Sequence, residues 1–251
     1  IARYIAECAT IHGMATYLAE HEQWDLLAVY YDTIDHLGHG FMEFHPPKME
    51  HTDSALHDRY QHVMTATYLF HDLMLGRLME LAGPEAHVIV MSDHGFHSGA
   101  LRPKLWLDPE NPARFTGPGA DPLAWHRQQG MIVIAGPGVK KDELVFGASL
   151  LDVMPTILAL LGLPIADDLD GKPLLQIFEQ KLQTDSIESY EPPVEGDGVH
   201  RGEQADDPFA ATESLQHLVD LGYIEPLSAD AESNLRSCLE ERKSVLAQIY
   251  Y

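Results

Sequence analysis

His87-Val88-Ile89-Val90-Met91-Ser92-Asp93-His94-Gly95-Phe96-His97-Ser98-Gly99 decides how this chain is read. An apolar run, Val88 to Met91, stops abruptly at Asp93-His94-Gly95. A short β-rich run ending in turn residues reads as a buried strand. In open α/β sheets, ligands sit outside the carboxyl ends of such strands. The strand therefore delivers an adjacent carboxylate and imidazole, both ligands for a borderline metal such as zinc. The same two residues would equally suit a turn cap and a surface histidine, so other parts of the chain must decide.

Upstream, apolar residues at Ile5, Cys8, Ile11, Ala15 and Leu18 recur in steps of three and four, which predicts a helix from Ile1 to about Glu20. Leu26 to Tyr31 reads as a second buried strand. It runs into Asp32-Thr33-Ile34-Asp35-His36-Leu37-Gly38-His39-Gly40, another strand end loaded with carboxylates and imidazoles. Asp53 or Ser54 can cap a long helix to about Leu81, which Gly83-Pro84 stops. Strand, helix and strand in that order predict a parallel pair joined by a right-handed crossover. Downstream, Leu101 to Trp125 is a Pro- and Gly-rich loop, and Met131 to Ala135 is a third strand. Ser149 or Asp152 opens a helix to Leu161, and a short helix is expected to end near Leu182.

The 251 residues are 45% hydrophobic, enough for one large α/β domain or a domain plus an appendage. Acidic residues outnumber basic ones 39 to 16, a formal charge of -23 that opposes binding to nucleic acid or anionic lipid. No apolar stretch is long enough to span a membrane. Cys8 and Cys238 show no CxxC spacing, so no thiolate zinc site is indicated. The chain holds 15 histidines, several at ligand-like spacing.

Asp35 and His39 are four apart, so a helical turn there would put both on one side. Such a pair is weak by itself, because it recurs on solvated helix faces. Asp35 and His39, Asp93 and His94, and His126 come from three separate strand ends, and their convergence is the stronger signal. His97 suits an orienting role beside a ligand or a solvated loop, and Asp32 a supporting role beside Asp35. Arg102 and Lys104 follow the site loop, where they are candidates for phosphate contact or are simply solvated.

The order Asp35-x-x-x-His39, Ser92-Asp93-His94-Gly95, then His126 before Gly130 to Gly138 resembles the alkaline phosphatase superfamily, in its type I phosphodiesterase/nucleotide pyrophosphatase-like branch. Leu150-Leu151-Asp152-Val153-Met154-Pro155-Thr156, followed by Asp170-Gly171-Lys172-Pro173-Leu174, resembles the segment that closes that domain. The likeness covers about Leu26 to Leu175. It implies an α/β three-layer sandwich with a mostly parallel central sheet, truncated at its N-terminus. It implies that Asp35, His39 and His126 hold one divalent ion and that Asp93 and His94 share in holding a second, zinc or manganese. The remaining ligand and a Ser or Thr nucleophile are then expected upstream of Ile1. Thr10 and Thr16, the hydroxyls available near the start, lie in a helix-like stretch.

The chemistry implied is hydrolysis of a phosphate ester, diester or monoester, through a covalent phospho-enzyme. A phosphoglycerate mutase-like enzyme, a sulfatase and a non-catalytic metal-binding interaction module are the alternatives. The domain is expected over 1–183, an acidic linker over 184–207, and a helical extension over 208–251 that offers a surface to a protein partner. Substrate is expected to be a small phosphate ester. No residues mark a compartment, and the cytoplasm is the default expectation.

Overall fold

Helix α1 (Ala2–His21) and helix α4 (Val63–Ala82) pack together and hold the shorter α2 (Thr33–Phe41) between them. This computed structural model describes residues 1–111, 115–180 and 182–191. The helical extension expected over 208–251 lies outside the described residues, as does most of the expected linker.

The helix expected from Asp53 to Leu81 is two helices. Asp53 caps α3 (Ser54–Tyr60) by accepting a hydrogen bond from the Leu56 amide at 2.9 Å. The chain then breaks at Gln61–His62 before α4 begins. Met64, Thr67 and Met74 are the buried residues of α4. Gly83 ends α4 at φ 77, a conformation that favours glycine.

The decisive strand forms, but it is half-buried, with Met91 exposed, where a buried strand was expected. β1 (Val88–Met91) pairs with β6 (Ile132–Ala135), and the pairing is antiparallel, Val88 opposite Ala135 and Met91 opposite Ile132. The same two segments pair again as β2 (Gly95–Phe96) and β5 (His126–Arg127), with Phe96 opposite His126. Between the two ladders, residues 92–94 on one side face 128–131 on the other. The Ser92 amide bonds the Met131 carbonyl, while the Ser92 hydroxyl accepts from the Met131 amide. Such an interruption bends a strand and re-aims its side chains, and here it carries Asp93 and His94.

Two strand expectations fail. Leu26 to Tyr31 forms no strand, and Leu26 and Tyr30 are more than half exposed. A strand exists only where a neighbour takes its backbone donors and acceptors, and no described segment does so. The strand–helix–strand crossover therefore does not form a parallel pair. In place of the mostly parallel central sheet, the described residues make four two-stranded sheets. Those include β3 (Trp106–Leu107) with β4 (Phe115–Thr116), antiparallel, inside the stretch read as a loop. Only β7 (Ile165–Ala166) with β8 (Ser186–Ile187) is parallel among them, and β8 falls inside the stretch read as a linker. The short helix expected to end near Leu182 is a single 3-10 turn, Leu175–Ile177.

Two apolar clusters form the interior. Leu37, Met42, Met64 and Trp125 make the first, with Tyr4, Phe41, Val63, Phe96 and Leu105 packed on it. Each fully buried side chain of this size contributes about 1.5–3 kcal/mol. Leu37 anchors the inner face of α2, so this cluster sets how α2 presents its other residues. The second, Val139, Leu174, Ile177 and Phe178, joins β6 to α5 (Val153–Leu160).

Candidate metal centre

Asp35 and His39 sit one helical turn apart on α2 and face the same way, because the segment after Asp32 is helical. His39 Nε2 lies 3.4 Å from Asp35 Oδ2. Strand β5 brings His126 to the same point from the opposite side. Its Nε2 is 3.3 Å from Asp35 Oδ1 and 2.9 Å from His39 Nε2. One ligand atom from each of Asp35, His39 and His126 lies within 4.8 Å of the other two. Ligands about 2.0–2.2 Å from a tetrahedral ion stand about 3.3–3.6 Å apart, so the three donors are near that spacing.

Both Asp35 carboxylate oxygens are buried without a hydrogen-bond partner, and so is His39 Nδ1. Unsatisfied buried polar atoms are costly, and a cation at the convergence of the three side chains would satisfy the carboxylate. Burial by itself pushes the Asp35 carboxyl up. Contacts with His126 and His39, and their charges, more than offset that and hold it well below the usual carboxylate range. Asp35 is thus an anion ready to bind a cation. Donor set, spacing and orphaned oxygens all fit a divalent ion such as zinc.

His94 stands beside this group. Its Nδ1 donates to the Gly95 carbonyl at 3.0 Å, and its Nε2 lies 3.6 Å from Asp35 Oδ1. The His94 and His126 rings stack at 3.8 Å. Asp93 is looser. Its side chain is 64% exposed, accepts from the His94 amide and lies 3.8 Å from His94 Nε2. Asp32 turns to His36, 3.6 Å away, whose ring stacks on Tyr4. His97 is held by its backbone, the amide donating to the Trp125 carbonyl, and its buried Nδ1 has no hydrogen-bond partner.

One contributor escaped sequence reasoning. Phe96, opposite His126 in the ladder, sets its ring edge against His39, centroids 5.1 Å apart, and against His126 at 5.9 Å. It fills the space beside Gly38, where an added Cβ would meet the Phe96 ring at 3.1 Å. Arg102, expected either to contact phosphate or to be solvated, does neither. It is 4% exposed and its guanidinium is taken up by main-chain carbonyls, not offered to a phosphate.

The sequence profile of the type I phosphodiesterase / nucleotide pyrophosphatase family matches residues 6–143, more than half of the chain and all five residues just placed. The chain belongs to that family, and with it to the alkaline phosphatase superfamily. No curated protein and no solved structure matches the chain. No helix among the described residues is long and apolar enough to cross a membrane.

Proposed function

We propose that this chain carries the metal-binding part of a phosphohydrolase that cleaves small phosphate esters, phosphodiesters first among them. The observation that carries this is the meeting of Asp35, His39 and His126 around an orphaned, buried carboxylate. Asp35, His39 and His126 hold one divalent ion, while His94 and Asp93 contribute to a second beside it. Bound zinc or manganese would supply Lewis-acid stabilisation of phosphoryl charge and activation of an oxygen nucleophile.

The chain's own residues do the rest. Asp35 stays ionised and presents one oxygen toward His39 and the other toward His126. The Gly95 carbonyl accepts from His94 Nδ1, which orients the ring with Nε2 toward Asp35. Phe96 blocks rotation of the His39 and His126 rings from one side. We place the nucleophile outside residues 1–251: a Ser or Thr hydroxyl that attacks phosphorus and expels the ester's alcohol, leaving a covalent phospho-enzyme that water hydrolyses to release phosphate and regenerate the hydroxyl. Thr10 and Thr16 support this, since both hydroxyls donate to carbonyls of their own helix.

The test is hydrolysis of bis(4-nitrophenyl) phosphate by the full protein with and without zinc or manganese. Nitrophenolate release is expected only with metal. Asp35→Asn is expected to lower kcat/KM by about a thousandfold, the loss of several kcal/mol of charge stabilisation. Metal-independent turnover, or an Asp35→Asn protein as active as the parent, would remove the reading.

A further inference from the structure

The end of α2 is held by one buried cation. After Phe41 the chain continues through a 3-10 turn, Met42–Phe44, into a loop that includes His45 and Pro47. The Arg102 guanidinium donates to the carbonyls of Met42, Glu43, His45 and Pro47, and also to that of Gly99 in its own loop. Carbonyls past the end of a helix lack partners within it, and the negative end of its dipole favours a cation. Arg102 answers both needs at once. The Glu43 side chain, 3% exposed, offsets the buried charge. The Thr52 hydroxyl donates to it, and His51 Nε2 lies 3.5 Å away.

Arg102 stands a few residues beyond β2 on the segment that carries Asp93 and His94, and β2 is paired to the strand of His126. Its bonds therefore join the two bodies that must meet to make the metal centre: α2 with Asp35 and His39, and the β2–β5 pair with His126 and the His94 turn. Phe96 against Gly38 is the apolar contact between the same bodies.

We infer that Arg102 is a positioning residue for the metal centre, clamping the carbonyls beyond α2 so that Asp35 and His39 stay in register with His126 and His94. The inference rests on the metal-centre reading above. A lysine cannot replace this guanidinium, because its three donors radiate from one point and cannot span carbonyls spread over a loop. Partners that orient metal ligands from behind typically govern 10–100-fold in metal affinity.

The experiment titrates Co(II) into metal-free full chain, following the visible d–d bands, for the parent, Arg102→Lys and the control Arg77→Met. Arg77 pairs with Glu20 and Glu80 on the surface of α1 and α4, away from the clamp. Arg102→Lys is expected to melt cooperatively without metal, bind Co(II) about 10–100-fold more weakly and show altered bands, while Arg77→Met binds like the parent. A folded Arg102→Lys with parental affinity and bands overturns the inference alone. A parent that binds no Co(II) overturns the metal reading and this inference with it. Where Arg102→Lys does not fold, hydrogen exchange on the parent decides. Coupling is reciprocal, so Co(II) loading is expected to slow amide exchange at 42–45 and 99–102 at least tenfold. Unchanged exchange there overturns the clamp.

Discussion

Gly38 shows how narrow the tolerance is at a single residue. It lies on α2 between Asp35 and His39, and the Phe96 ring occupies the place of its missing side chain. Gly38→Ala would improve helix propensity by up to about 1 kcal/mol. It would also push Phe96 by a few tenths of an ångström toward the two imidazoles. The expected outcome is therefore split. Unfolding free energy measured in urea changes by less than about 1 kcal/mol, the helix gain offsetting the crowding. Co(II) affinity falls by about tenfold, as for other residues that support ligands. A variant that lost stability and affinity in proportion would argue that Phe96 only packs.

At the scale of elements, the start of α5 is tied by a knot of side-chain bonds. The Asp152 carboxylate accepts from the Ser149 amide and hydroxyl and from the Lys172 amide across the loop. The Asp152 carbonyl accepts from the Thr156 hydroxyl, which in turn accepts from the Leu174 amide. Burial raises the Asp152 carboxyl, but the Lys172 and Ser149 bonds more than offset it and leave it below its ordinary value. Its contribution to stability is thus present above the usual carboxylate range and lost as pH falls through the lowered value. Asp152→Ala is expected to cost about 2 kcal/mol at pH 7, a lost cap plus an orphaned amide. In denaturant titrations that difference should shrink toward pH 3. Gly171 belongs to the same knot, since a Cβ there would meet the Leu151 carbonyl oxygen at 1.9 Å. This knot was visible in sequence as Ser149 and Asp152 before an apolar helix. Its closure onto residues 171–174 was not, because no periodicity reports a contact between two loops.

At the scale of the whole molecule, binding of the proposed ion would be linked to folding. An ion that binds only the folded state at 100 times its Kd adds about 2.7 kcal/mol. For a chain of this size that should raise Tm by about 5–10 °C. Scanning calorimetry of metal-free protein with and without zinc measures the shift, and Asp35→Asn should abolish it. The formal charge of -23 belongs to this scale too. Cation binding at a centre built on Asp35 lowers local repulsion as well as filling the site.

Residue type and spacing alone determined a good deal. Val88 to Met91 had to be a strand that ends at Asp93-His94, because an apolar β-rich run there meets turn residues. Asp35 and His39 had to share a side once their segment was helical. The family could be read from those residues together with His126. Tertiary structure alone decided the partners. It paired β1 with β6 antiparallel, left Leu26 to Tyr31 without a neighbouring strand, and broke the long helix at Gln61–His62. It drew His94 toward Asp35 while leaving Asp93 largely exposed, and it spent Arg102 on carbonyls far along the chain. The physical reason is the same in each case. Local propensity and periodicity belong to neighbours in sequence, whereas strand pairing, burial of a charge and convergence of ligands are contacts between segments that share no local signal.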